Sequence, residues 1–193
     1  MNFARRRALP RPLYKSAFDA LVFLAALVLV MFARNQTGVF IPQAGIFIAV
    51  DGDSLRQGDQ DFRLHGIDAP ELHQSCANKL GDDYPCGQNA KRALSDLVRG
   101  QTLVCTPHDT DRNGRLVAQC NVGRLDINAE MVRLGWAIAY IRHSTAYVDE
   151  EMEARKSRRG LWQGSFESPE AWRNSHRREF QQGSMIEADA MPD

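Results

Sequence analysis

The segment "GIFIAVDGDSLRQGDQDFRLHGI", residues 45–67, decides how this chain is read. Its Ile, Phe, Val and Leu residues stand in short runs that alternate with polar residues and stop at glycine. Asp51-Gly52 and Gly58-Asp59 are turn pairs. The pattern predicts three short antiparallel strands. Further on, "TLVCTPHD" and "RLVAQC", joined through "TDRNG", predict two more. Between them, "CGQNAKRALSDLVRG" puts Ala90, Ala93, Leu94, Leu97 and Val98 on one helical face, with Gly100 as the stop. "DINAEMVRLG" predicts a second helix, capped by Asp126 or Asn128 and stopped by Gly135. "YVDEEMEARKSRRG" predicts a third, acidic at its start and basic at its end, as the helix dipole favours. Five short strands with three interspersed helices point to an α+β domain, a five-stranded barrel of OB-fold type with packed helices.

The chain has 193 residues, 44% of them apolar and 25% charged, which fits one globular domain with extra segments at its ends. Formal net charge is zero but unevenly spread. From Gly45 onward 18 Lys and Arg face 23 Asp and Glu, a net of −5. A polyanion bound there must meet a local cationic site, because the field of the whole domain repels it.

The N-terminal third has another character. Residues 1–16 carry Arg5, Arg6, Arg7, Arg11 and Lys15, and an apolar stretch over 17–33 follows, unbroken from Ala20 to Ala33. Basic residues before an apolar run, with no small-x-small cleavage pattern after it, predict an uncleaved signal anchor, a transmembrane helix with its basic end in the cytoplasm. Secretion after cleavage is the alternative. Residues 34–44 form a linker, 45–163 the folded domain and 164–193 a polar C-terminal tail. In the tail, "SPEAWR" predicts one or two helical turns with Ser168 as cap and Pro169 in the first turn. The domain is expected outside the cytoplasm, periplasmic or extracellular and attached to the membrane through the N-terminal helix.

Cys76, Cys86, Cys105 and Cys120 fit that compartment. None forms a C-x-x-C pair, and no histidine stands at zinc-ligand spacing. Three disulfide pairings are possible. The two local ones, Cys76 with Cys86 and Cys105 with Cys120, are favoured, because the first brackets a Gly- and Asp-rich loop and the second sets two strands side by side.

"VDGDS" (50–54), "RLHGIDAPE" (63–71) and "DTDRNGR" (109–115) carry the chemistry. Each alone is ordinary: a turn, a strand arginine, a hairpin. Together they offer carboxylates for a hard divalent ion and two arginines that can grip a phosphate through paired hydrogen bonds. A further carboxylate is left to orient or deprotonate a water. That is the set required for in-line hydrolysis of a phosphodiester.

With "NAEMVRLGWA" and "ARKSRRGLW" following in order, the stretch from about Gly45 to Trp162 resembles the staphylococcal nuclease (thermonuclease) family. The resemblance implies a calcium-dependent endonuclease acting on DNA and RNA, leaving a 5′-hydroxyl and a 3′-phosphate. It implies Asp53 and Asp68 as calcium carboxylates, Ala69 as a backbone-carbonyl ligand and Asp51 in the outer shell. Glu71 matches the water-orienting or general-base position, and Arg63 and Arg115 match the arginines on the scissile phosphate. Asp111 opens and shapes the second arginine's loop. Calcium is the only cofactor implied, with no small-molecule cofactor, and a monomer is expected. Asn113 stands where a tyrosine is familiar, and Lys79 is the one clear cation in a loop that is lysine-rich in the best-known member. Tyr140 approximates a substrate-side tyrosine. The rival readings are a non-catalytic nucleic-acid or protein binding module and a structural envelope domain.

Overall fold

The structure, a computed structural model, describes residues 13–36 and 40–176. The basic residues at 5–7 and 11, part of the linker and the end of the tail lie outside the described residues. The chain divides into two compact units, residues 1–39 and 40–193.

In the first unit the expected helix forms as α1 (Leu13–Gln36). Its side chains are described over 18–31, where all are exposed. Among the described residues no helix is long and apolar enough to cross a membrane. The helical part of the expectation therefore holds.

The second unit is α+β, built on a curled, half-barrel sheet. β1 (Gln43–Gly45), β2 (Ile48–Ala49), β3 (Ser54–Gln57) and β4 (Gln60–Leu64) come from the opening segment. β8 (Leu103–Thr110), β9 (Leu116–Val122) and β10 (Leu125–Asp126) come from the second hairpin region. The pairing path runs β1-β8-β9-β4-β3-β2, with β10 added on β9. Its two ends, β1 and β2, are separated in sequence only by Ile46 and Phe47, which is why the sheet curls. Phe47 is buried there and meets Phe62 edge-on at 5.1 Å. The expected closed barrel of five strands is thus a curled sheet of seven. Within the apolar run 45–50 only Ile48 and Ala49 form a strand, β2, while β1 begins before the run at Gln43 and ends at Gly45, each serving a different partner strand, and β10 is too short to announce itself. Two further pairs, β5 (Ile67–Asp68) with β11 (Ile138–Ala139) and β6 (Cys76–Ala77) with β7 (Asp83–Tyr84), lie off the sheet.

Three helices form where expected: α2 (Cys86–Val98), α3 (Ile127–Arg133) and α4 (Val148–Lys156). Asp126, not Asn128, caps α3, accepting from the Ala129 N–H at 3.1 Å. Asn128 is instead fully buried and braces α3 to the sheet through the Cys120 N–H and the His65 and Ala118 carbonyls. Residues 169–176, α5, form the two helical turns expected after Ser168, which caps them, so the described residues hold five α-helices: the N-terminal one, the three expected in the domain and this one. The main core is a cluster of Leu55, Phe62, Leu64, Ile67, Leu94, Leu103, Ile127 and Met131 among others, with a smaller one around the Cys76–Cys86 disulfide and Leu161. Both favoured disulfides, Cys76–Cys86 and Cys105–Cys120, are present, the second between register partners of β8 and β9.

Candidate active site

Two turns and two strands bring the expected residues together. The 51–53 turn leads into β3, and the turn after β5 carries Asp68 to Glu71. Gly52 lets these two meet. A Cβ on Gly52 would stand 2.7 Å from the Cβ atoms of both Ala69 and Ala90, so a side chain there would drive the turns and α2 apart. Gly87 does the same one layer back, because its Cβ would fall 1.8 Å from the Glu71 carbonyl oxygen. Both glycines are required by close backbone approach.

Arg63 lies on β4 and Arg115 just before β9. Phe62 and Leu116 are register partners on these parallel strands, so Arg63 and Arg115, one step away on each, share the opposite face. Ser54 is the register partner of Arg63 on β3.

One continuous network follows. Arg115 Nε donates to Asp111 Oδ2 at 2.7 Å, and its Nη1 reaches Ser54 Oγ at 3.5 Å. Ser54 Oγ donates to Asp53 Oδ1 at 3.1 Å, and Asp53 Oδ2 accepts from the Ala69 N–H at 3.2 Å. Arg63 Nη2 lies 3.0 Å from both Asp53 Oδ2 and Asp68 Oδ1. Asp51 stands behind, its Oδ1 accepting from the Asp53 N–H at 3.0 Å. Asp111 also accepts from the backbone N–H groups of Asn113 and Arg115, which fixes the loop that aims Arg115.

Asp53 and Asp68 are 4% and 0% exposed. Burial pushes the Asp53 carboxyl up to about 7; Arg63 opposes this, while Asp51 and Asp68 add to it. Arg63 is held above the usual guanidinium range: burial pulls it down, and Asp53 and Asp68 outweigh that. Among the described residues no group of three or more His, Cys, Asp or Glu side chains forms a ready metal cage. What is present is two buried carboxylates with an outer third, an all-oxygen donor set suited to a hard divalent ion completed by backbone and water.

Glu71 stands at the edge, its side chain 34% exposed. Its backbone is clamped on both sides by Gln74, which accepts the Glu71 N–H at 3.2 Å and donates its own N–H to the Glu71 carbonyl at 2.8 Å. Gln74, fully buried, also donates to the Glu167 carbonyl at 2.8 Å.

Sequence reasoning missed three members of this site: Ser54, Gln74 and Arg173. Arg173, on α5, donates to both oxygens of Asp68 at 2.9 and 3.0 Å and to Glu71 Oε1 at 2.9 Å. Only the Ser168-Pro169 helix start was legible; nothing local marks an arginine that bonds 105 residues away. Other singled-out residues lie at the margins. Asn113 and Lys79 are exposed. Tyr140 is tied by its N–H to the Gly66 carbonyl at 2.9 Å, and its ring meets His143 at 4.7 Å. His65 pairs edge-on with His108 at 5.5 Å, a contact the scattered histidines did not foretell. Beside Glu71, a cavity of about 390 Å³ is lined by Leu72, His73, Gln88, Lys91, Arg92, Ser95 and Arg99.

Comparison with known proteins adds the context. The family description "Staphylococcal nuclease homologue" matches residues 61–164. An uncharacterized endonuclease of Escherichia coli is 33% identical over 136 residues, covering 67% of this chain and 82% of that protein. The succinoglycan biosynthesis protein ExoI of Rhizobium meliloti (strain 1021) is 26% identical over 142 residues, covering 72% of this chain and 74% of that one. A probable staphylococcal-like nuclease, CAN1 of Oryza sativa subsp. japonica, is 34% identical over 133 residues, and the match spans 36% of its length.

Proposed function

Because the chain belongs to the staphylococcal nuclease homologue family, it is an enzyme that hydrolyses phosphodiester bonds, and we propose that it is a calcium-supported endonuclease of DNA and RNA working outside the cytoplasm. The observation that carries this reading is the position of Arg63. One guanidinium nitrogen lies 3.0 Å from each of two buried carboxylates, while Arg115 reaches the same network through Ser54. The acids, from the turn before β3 and from β5, thus converge on arginines from β4 and from the loop before β9.

Asp53, Asp68 and the Ala69 carbonyl would hold the ion, with Asp51 behind them. When bound, calcium supplies positive charge against the scissile phosphate. Arg63 and Arg115 donate to the phosphoryl oxygens and stabilise the charge that builds on them in the transition state. Glu71, half-exposed on a clamped backbone, accepts the proton of the attacking water. The water oxygen bonds to phosphorus and the P–O5′ bond breaks. The 5′ oxygen leaves as a hydroxyl after taking a proton from solvent, and the phosphate stays on the 3′ side. The cavity over α2 offers the flanking strand Lys91, Arg92 and Arg99 in a domain that is acidic as a whole.

Placement outside the cytoplasm rests on the two disulfides and on the order of basic then apolar residues at the N-terminus. Fractionation of cells making the full chain decides whether the apolar segment is retained as an anchor or removed.

The decisive experiment is cleavage of supercoiled plasmid and of single-stranded RNA by the purified chain, with calcium and with chelator, beside Glu71→Gln. Calcium-dependent cleavage with a 3′-phosphate product, lost in the variant, is expected. A folded chain that binds nucleic acid but cuts neither substrate overturns the reading in favour of a binding module.

A further inference from the structure

We propose that Arg173 is the resident counter-cation of this site, held on Asp68 and Glu71 until a divalent ion replaces it, so that α5 sets the metal affinity of the enzyme. The inference rests on the metal-site reading above.

The geometry is that of a plug. The Arg173 fork takes both Asp68 oxygens, at 2.9 and 3.0 Å, and the nitrogen on Asp68 Oδ1 also reaches Glu71 Oε1 at 2.9 Å. Arg63 lies on the same Asp68 Oδ1 at 3.0 Å. A carboxylate offers about four acceptor directions. Three are used, so an ion coordinated by Asp68 must displace a donor or share the oxygen at close range with a positive guanidinium. Without Arg173 or an ion in its place, Asp68 would be a buried carboxylate short of a partner, which is costly.

Of the two arginines, Arg173 is the one free to leave. Arg63 sits in β4, hydrogen-bonded between β3 and β9. Arg173 sits on α5, outside the sheet. That helix is docked through the Gln74–Glu167 bond, the buried Pro169 and the exposed Arg142–Glu170 pair at 2.8 Å. Segments held by few buried contacts open locally at low free-energy cost. Arg173 also bonds the proposed metal carboxylate and the proposed base together, so its departure frees both at once.

The test is calcium binding by the purified full chain, measured by calorimetry and by displacement of luminescent terbium. The series is wild type, Arg173→Ala and Asp68→Asn, with folding checked by circular dichroism. Arg173→Ala should bind calcium about tenfold more tightly. It should be less heat-stable than wild type in chelator and recover on adding calcium. Glu170→Lys, which loosens α5 without touching the site, should shift affinity in the same direction and covers the case in which Arg173→Ala fails to fold. Equal or weaker calcium binding by folded Arg173→Ala, or by Glu170→Lys if only that folds, overturns the proposal and leaves the metal site standing if Asp68→Asn abolishes binding. Folded wild type and variants that all fail to bind calcium overturn both readings.

Discussion

Arg173 and Asp68, 105 residues apart in sequence, are joined by two hydrogen bonds of 2.9 and 3.0 Å. The tail of the chain is thereby part of the candidate site. Asp68 is fully buried and receives a second arginine, Arg63, at 3.0 Å. Both guanidinium groups and both site carboxylates therefore belong to one charge-balanced unit, and changing one member shifts the others.

Arg63→Lys keeps the charge and loses the planar fork. Lysine can answer one of Asp53 and Asp68 or the phosphate, but not the paired geometry. Turnover on a single-stranded oligonucleotide should fall by about 10²-fold or more with the fold intact. Wild-type turnover by the lysine variant would remove Arg63 from the phosphate-binding role.

Asp53 predicts a pH dependence of stability. Its folded value, about 7, lies above the ordinary 3.8, so between these values the folded chain holds a proton that the unfolded chain has released. The contribution is fully present below the ordinary value and is lost as pH rises through about 7. In chelator, wild type should therefore lose stability relative to Asp53→Asn between pH 4.5 and pH 8, by on the order of a few kcal/mol (roughly 1.4 per pKa unit). Urea unfolding at the two pH values checks it, and a constant difference between the two proteins contradicts it.

Gly87→Ala tests the close approach behind Glu71. The new methyl would stand 1.8 Å from the Glu71 carbonyl oxygen, so the first turn of α2 or the Glu71 turn must move. A stability loss of about 1–3 kcal/mol is expected. A larger proportional loss of activity should accompany it, because Glu71 shifts from its clamp on Gln74. Thermal melts and initial rates together report both effects.

The cationic cavity over α2 is tested by the double change Lys91→Glu, Arg92→Glu. Binding to single-stranded DNA should weaken at low salt, and the log-affinity against log-salt slope should become shallower by roughly 0.7 for each phosphate no longer neutralised. Catalysis on a dinucleotide, which carries no flanking phosphates, should fall less than catalysis on a long strand. An unaltered salt slope places the strand elsewhere.

The residue pattern by itself determined the α+β class, the three domain helices, the start of the tail helix and the three motif stretches, and it favoured the two local disulfide pairs among three possible pairings. These are local matters: period-two and helical spacing, glycine stops, and cysteines placed across a hairpin or around a short loop. It also named Asp53, Asp68, Glu71, Arg63 and Arg115, because their motifs are contiguous and each carries its own turn or strand signal. Only the tertiary structure decided that Asn128 is a brace and Asp126 the cap, since both are good capping residues and burial chose between them. Only the tertiary structure placed β1 ahead of the first apolar run and separated it from β2, because the two pair with different strands, β8 and β3. Arg173 is the extreme case. Its role comes from α5 docking against Gln74 and the Asp68 turn, and a contact across 105 residues leaves no periodicity for a sequence to show.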